Sequence, residues 1–116
     1  EYPVGGAVHV SHGEGNGMLL PYVMRFTLPA RVREFARIAE LLGEDVAGLS
    51  PEEAASRAVT AVERLRAGSG LRARLRELGV KREQLPEFAK KAHSITRLML
   101  LTPRQPTEED VLAVYE

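Results

Sequence analysis

The segment from Ser50 to Gly70 limits the fold more than any other part of the sequence. It opens with Ser50-Pro51-Glu52-Glu53, a strong helix start in which serine is the N-cap, proline takes the first helical position and Glu53 completes a capping box. The apolar residues that follow recur at helical spacing: Ala54, Ala55, Ala58, Val59, Val62 and Leu65. The pattern stops near Gly68-Ser69-Gly70. This segment is therefore predicted to be an α-helix with one buried face.

Most of the remaining chain shows the same periodicity. Further helices are predicted from His12 or Gly13 to about Phe26, from Pro29 to Gly43, over a short stretch marked by Leu71, Leu75 and Leu78 and closed by Gly79, from Leu85 to Leu101, and from a Thr107–Asp110 cap to Tyr115. Residues 1–11 contain Pro3, Gly5 and Gly6 and are predicted to be loop with at most a short extended piece. The prediction is an all-α bundle of five or six helices. Its buried residues should include Leu19, Val23, Phe35, Leu42, Val62, Phe88, Ile95 and Leu112.

The composition limits the classes of function. A chain of 116 residues fits one domain, and its 16 basic and 16 acidic residues cancel, so no overall field attracts nucleic acid, a membrane surface or an anionic substrate. The absence of cysteine excludes disulfides and thiolate metal sites, and it fits a cytoplasmic location. No stretch approaches the roughly 20 apolar residues of a membrane span, and no leader pattern opens the chain. We therefore expect a cytoplasmic protein without nucleic-acid or membrane partners.

One local charge excess lies between residues 57 and 82. The acidic residues of this stretch are Glu63 and Glu77, and its basic residues are Arg57, Arg64, Arg66, Arg72, Arg74, Arg76, Lys81 and Arg82. Two helices with a glycine turn and clustered arginines are compatible with a DNA-binding helix-turn-helix. Against that interpretation, the arginines occupy several helix faces, the Gly68-Ser69-Gly70 break is loose, and no aromatic residues accompany them. A solvated helical surface is the favoured interpretation.

Two histidines three positions apart, His9 and His12, precede a glycine-rich turn that leads into an apolar helix. An imidazole at a helix N-terminus faces free backbone N–H groups and the positive end of the helix dipole, which disfavour its cationic form. Neutral imidazole is the form that ligates metals. The spacing alone leaves two interpretations open, because a histidine in a glycine-rich loop is more often a solvated turn residue than a ligand.

Three strings around these histidines form a longer pattern: Glu1-Tyr2-Pro3-Val4-Gly5-Gly6, His9-Val10-Ser11-His12-Gly13 and Asn16-Gly17-Met18-Leu19-Leu20-Pro21-Tyr22-Val23-Met24-Arg25-Phe26. Together they resemble the iron-containing (group III) alcohol dehydrogenases, whose pattern includes Pro-x-Gly-Gly, Pro-His-Gly-x-x-Asn-Ala and Leu-Leu-Pro-His-Val-Met. Thr102-Pro103-Arg104 resembles the family's Asn-Pro-Arg turn, so the resemblance covers essentially the whole chain. Ser11 replaces the usual proline and Gly17 the usual alanine, which leaves the subfamily and the substrate open.

The resemblance implies a subunit with an N-terminal Rossmann-like nucleotide domain, a C-terminal all-helical domain, and the active site in the cleft between them. Residues 1–116 would form the C-terminal part of that helical, dehydroquinate synthase-like domain, and the nucleotide domain would lie outside this chain. The implied activity is reversible, metal-assisted hydride transfer between an alcohol and NAD or NADP. Gly13, Gly15 and Gly17 would let the substrate and the nicotinamide approach the backbone closely.

The resemblance also assigns site residues. The family holds its divalent metal, Fe²⁺ with Zn²⁺ as the alternative, by one aspartate and three histidines, and the last of these histidines falls on His12. The other three ligands have no position in this chain. A second family histidine near the nicotinamide falls on Tyr2, whose phenol can donate a hydrogen bond but holds its proton too tightly for a good shuttle near neutral pH. His9 is a candidate proton relay or supporting group, with a surface-loop histidine as the alternative.

The expected partners are a small alcohol or aldehyde, the nucleotide domain, and further copies of the protein. Self-association is expected because a domain built to pack against another leaves an apolar face uncovered when it is alone. The fragment by itself is expected to be inactive. The alternative function is a non-catalytic helical interaction module that has kept the sequence without the chemistry.

Overall fold

The computed structural model describes all residues, 1–116. Its seven α-helices are α1 (Tyr2–Val8), α2 (His12–Thr27), α3 (Val32–Leu41), α4 (Pro51–Gly68), α5 (Leu85–His93), α6 (Thr96–Met99) and α7 (Glu108–Tyr115). Three short 3₁₀ turns lie at Leu28–Ala30, Leu75–Leu78 and Arg82–Gln84. No strand is present, so the all-α prediction is confirmed. None of the helices combines the length and the apolar character needed to cross a membrane.

The two capping boxes predicted from the sequence are formed. Ser50 N–H donates to the Glu53 carboxylate over 2.9 Å, and Glu53 N–H donates to Ser50 Oγ over 3.3 Å. Thr107 and Asp110 make the same reciprocal pair at the start of α7. Both helices therefore begin where their side chains satisfy free backbone donors.

The prediction that residues 1–11 form a loop is wrong for Tyr2–Val8, which is helical, and is confirmed for residues 9–11. Pro3 lies in the first turn, where its missing N–H is not needed. Packing offsets the low helix propensity of Gly5 and Gly6, since Val4 is completely buried against the core. His9 ends the helix in the left-handed region with φ 54°, and its N–H donates to Gly5 O.

Two other predicted helices are shorter than expected. The helix predicted over Leu85–Leu101 ends at His93, because Ser94 Oγ donates to Lys91 O over 2.7 Å and Ile95 leaves helical geometry at ψ 68°. The stretch after Leu71 is extended before its 3₁₀ turn, since the Glu77 carboxylate accepts the N–H groups of residues 73 and 74. Gly79, at φ 84°, closes that turn as predicted. The structure therefore lacks the second helix that a helix-turn-helix after α4 requires.

Two apolar clusters form the core, and α2 contributes to both. The first cluster contains Val4, Met18, Leu19, Leu75, Val80, Leu85, Phe88, Ala89, Ala92 and Tyr115. The second contains Met24, Phe35, Ala39, Ala55, Ala58 and Val59, and packs α3 on α4. α2 is thus the element that joins the two halves of the molecule.

The burial prediction is partly confirmed. Leu19, Phe35 and Phe88 are buried, while the half-buried residues are Val62, Ile95 and Leu112. Val23 and Leu42 are 43% and 39% exposed, so their predicted burial is wrong. Val23 shares an exposed side of α2 with Leu20, and Leu42 lies in the turn that follows α3.

Candidate functional site

The start of α2 places His12 at the edge of the molecule. Ser11 is the N-cap, and its hydroxyl accepts from Glu14 N–H over 3.2 Å. His12 is the first helical residue, and 62% of its side chain is exposed. The predicted position of this histidine at a helix N-terminus is therefore confirmed, and its ring is accessible to a ligand from outside the chain.

Both ring nitrogens of His12 have a partner. Nδ1–H donates to Glu1 Oε2 over 2.5 Å, and Asn16 Nδ2 donates to Nε2 over 3.0 Å. These partners assign the tautomer, because a carboxylate can only accept and the side-chain amide nitrogen can only donate. The lone pair of Nε2 is therefore the one available for a metal ion.

The Glu1 side chain reaches His12 through a narrow slot between α1 and α2. Only 7% of that side chain is exposed. A Cβ added at Gly15 would lie 2.6 Å from Glu1 Cγ, and one added at Gly5 would collide with Glu1 Oε1. The two helices can hold the carboxylate between them because both positions lack a side chain.

Tyr2 also contacts the His12 ring. The two rings stack with centroids 5.3 Å apart and planes inclined by 22°. The structure thus brings together two of the three site residues predicted from the sequence. Tyr2 itself is 53% exposed, so its hydroxyl can reach a molecule bound outside the chain.

His9 lies apart from this group. It forms the exposed C-cap of α1, and its side chain takes part in no hydrogen bond or ion pair of the structure. The structure therefore shows no hydrogen bond or ion pair that links His9 to His12.

A further ionisable group, Tyr115, lies close enough to Glu1 for the charge of Glu1 to act on it. Tyr115 is 7% exposed, and burial raises the pKa of its hydroxyl to about 12, with a smaller rise from the negative charge of Glu1. Tyr115 therefore stays neutral across the physiological range.

The residues of this site can provide one ligand to a metal ion, which is too few for a complete metal site. His12 presents an imidazole nitrogen with an available lone pair, which suits Fe²⁺ or Zn²⁺. No group of three or more histidine, cysteine, aspartate or glutamate side chains lies close enough to hold an ion. A catalytic divalent site needs about three protein ligands, so the others would have to come from outside these residues.

Sequence reasoning missed Glu1 and the role of Asn16. The glycine spacing predicted a close approach to α2, and the structure shows which groups of this chain make it: Glu1 approaches Gly15, and Leu71 approaches Gly17. Glu1 lies four residues before Gly5, which places the two on the same side of a helix. This spacing indicates a contact only if α1 is known to be helical.

Comparison with known proteins shows the family of this chain. The C-terminal profile of the Fe-containing alcohol dehydrogenase family matches residues 1–116. The chain belongs to this family. It is 38% identical to 1,3-propanediol dehydrogenase of Klebsiella pneumoniae, a match that covers 98% of this chain and 29% of that protein. It is 39% identical to NAD-dependent methanol dehydrogenase of Bacillus methanolicus, over 99% of this chain and 30% of that protein.

The fold of the family is also that of this chain. The crystal structure of a 1,3-propanediol oxidoreductase superposes with a TM-score of 0.94 at 38% identity, over 98% of this chain and 30% of that structure. An alcohol dehydrogenase from Oenococcus oeni superposes with a TM-score of 0.91 at 29% identity. The chain spans about 30% of the length of these Fe-containing alcohol dehydrogenases.

Proposed function

We propose that this chain is the C-terminal helical part of an NAD(P)-dependent, iron-type alcohol dehydrogenase and that His12 is one ligand of its catalytic divalent metal. The observation that carries the proposal is the His12 ring itself. It is exposed at the start of α2, its Nδ1–H is bound by Glu1, and its Nε2 lone pair faces outward to a neutral amide donor. The family match over the whole chain supports the same role.

The remaining ligands and the nucleotide site belong, in this proposal, to an N-terminal Rossmann-like domain and the rest of the helical domain. When bound, Fe²⁺ or Zn²⁺ would polarise the oxygen of a small alcohol or aldehyde, while NAD or NADP carries the hydride. The family membership supports a divalent metal and a nicotinamide cofactor in the full-length protein. A homo-oligomeric state and a cytoplasmic location are parts of the same proposal.

Each residue of this chain has a distinct proposed task. His12 provides Nε2 to the metal, and Tyr2, stacked on its ring, offers a hydroxyl that can hydrogen-bond to substrate or cofactor. His9, exposed at the end of α1, is proposed as a proton relay at the rim of the cleft. Because His9 makes no hydrogen bond or ion pair with His12 or Glu1, its loss should leave the metal in place.

The test compares four full-length proteins or fragments. We expect the wild-type full-length protein to bind metal and to turn over alcohol, and we expect His12→Ala to lose both. His9→Ala is the matched control and should largely keep its metal. The 116-residue chain alone should bind Fe²⁺ or Zn²⁺ only weakly and show no turnover, since each lost ligand removes a metal bond and the chelate advantage of the others. Metal analysis and NAD(P)-linked assays give the readouts, and retention of metal and activity by full-length His12→Ala would refute the proposal.

One observation favours a second candidate, a non-catalytic helical interaction module. The chain has no group of three potential metal ligands of its own. Mixing the chain with a separately produced N-terminal half distinguishes the two functions. Restored turnover supports the enzyme, whereas a stable complex without metal uptake or turnover supports the module.

A further inference from the structure

We propose that Glu1 is the positioning residue of His12, so that its buried carboxylate fixes the ring with Nε2 directed to the metal. This inference rests on the proposed function, because it presumes that His12 is a metal ligand. Glu1 would not touch the metal, the substrate or the cofactor. It would act through His12 alone.

The contact has the geometry of a carboxylate that orients a metal-ligating histidine. The 2.5 Å separation between His12 Nδ1 and Glu1 Oε2 is that of a short, charge-assisted hydrogen bond. A carboxylate on Nδ1–H excludes the tautomer with hydrogen on Nε2, so the Nε2 lone pair stays free of a proton. Asn16 Nδ2 donates to Nε2 over 3.0 Å, and its exposed side chain is free to move aside for a metal ion.

Burial makes this contact a strong constraint on the ring. The Glu1 side chain is 7% exposed, whereas that of His12 is 62% exposed. A buried carboxylate without a partner is costly, so Glu1 and His12 are held together more firmly than two exposed side chains would be. Tyr2 stacks on the ring at 22° and restricts its tilt as well.

The slot between α1 and α2 has room for the Glu1 carboxylate because Gly5 and Gly15 carry no side chain. Gly5 and Gly6 are neighbours on α1, yet only Gly5 faces Glu1. A Cβ at Gly5 would meet Glu1 Oε1 and displace the flexible carboxylate, while a Cβ at Gly6 has no atom within 4 Å. The two glycines therefore give a matched pair of alanine variants that differ mainly in whether Glu1 keeps its place.

The test measures the Fe²⁺ and Zn²⁺ affinities of the metal-free full-length protein by competition with a chromophoric chelator. We expect Glu1→Ala to weaken both affinities by about 10- to 100-fold, the usual range for the loss of such a partner. Glu1→Gln should fall between wild type and Glu1→Ala, because its amide oxygen still accepts from Nδ1–H. Glu14→Gln, which removes a carboxylate of α2 that pairs with Arg72, is the charge-matched control and should bind metal like wild type.

The glycine variants separate positioning from mere stability. Gly5→Ala should weaken metal binding without lowering the melting temperature, since alanine favours the helix, whereas Gly6→Ala should bind like wild type. Equal affinities of wild type and Glu1→Ala, or equal effects of Gly5→Ala and Gly6→Ala, would overturn the inference. His12→Ala runs alongside: if it keeps its metal, the proposed function fails, and if it alone loses metal, only the role of Glu1 fails.

Discussion

Tyr22 binds several arginine side chains, two of which belong to the charge excess between residues 57 and 82. The guanidinium groups of Arg25, Arg66 and Arg74 lie 5.9, 5.4 and 5.8 Å from the centre of its ring. Its hydroxyl donates to Ala73 O over 2.8 Å, and Arg66 donates to the carbonyl of Met18 over 3.1 Å. These contacts attach the extended segment after α4 to the side of α2. Part of the predicted solvated arginine surface therefore contributes to packing.

The hydroxyl of Tyr22 should make a measurable contribution to stability. Tyr22→Phe removes the donor and leaves the Ala73 carbonyl without it, so we expect the free energy of unfolding to fall by about 1 kcal/mol. Tyr22→Leu also removes the ring and should cost more, because stacked cations contribute about 0.5–1 kcal/mol each at exposed sites. Urea denaturation gives the values. Tyr2→Phe is the control, since the Tyr2 hydroxyl has no partner within the chain, and a Tyr22→Phe protein as stable as this control would contradict the assignment.

The N-termini of α4 and α7 are stabilised by a charged carboxylate as well as by hydrogen bonds. The Ser50 N–H, and after it the Ser50 hydroxyl, hold the pKa of Glu53 below its usual value of 4.5. The Thr107 N–H likewise lowers the pKa of Asp110. Each carboxylate therefore joins its capping box in the ionised form, in which it also interacts favourably with the helix dipole.

This gives the capping boxes a pH dependence. A carboxyl group with a lowered pKa in the folded state contributes stability above its ordinary pKa, and that stability is lost as the pH falls through the lowered value. We expect Glu53→Gln to be less stable than wild type at pH 7 and to approach wild type well below the ordinary pKa of 4.5. Ser50→Ala should cost about 1 kcal/mol at pH 7. Denaturation at several pH values measures both, with the neighbouring Glu52→Gln as control, and a Glu53→Gln difference that grows as the pH falls would show the wrong sign.

The sequence predicts those elements whose signals are local. The caps of α4 and α7, the Gly79 turn and the start of α2 need only a few neighbouring residues, and they were predicted correctly. α1 was missed because its two glycines have low helix propensity and only the burial of Val4 compensates. The slot that holds the Glu1 carboxylate was missed as well, because it depends on the contact between α1 and α2. Long-range packing of this kind leaves no short pattern to find.

At the scale of the whole molecule, the chain measures 44 × 31 × 21 Å and leaves several large apolar side chains uncovered. The most exposed are Leu41, Leu65, Leu100 and Leu101, at 69%, 61%, 73% and 80%. Leu41 and Leu65 line a shallow groove between α3 and α4. Apolar surface of this kind is unfavourable in water, so it favours association.

We therefore expect the 116-residue chain to self-associate at high concentration. Sedimentation velocity over a concentration series should show species larger than the monomer at several hundred micromolar. Leu65→Lys should weaken this association, because a charge in the groove between α3 and α4 resists burial. A single monomeric species throughout the series would contradict the expectation.

Because α2 contributes to both apolar clusters, it determines how the two halves of the molecule unfold. Met18 and Leu19 belong to one cluster and Met24 to the other, so this helix packs against both halves of the core. Neither half can unfold completely without disturbing the same helix, which couples the two halves into one cooperative unit. We therefore expect the backbone amides of Met18 and Leu19 to exchange their hydrogens with water late, and those of the four-residue helix α6 to exchange early.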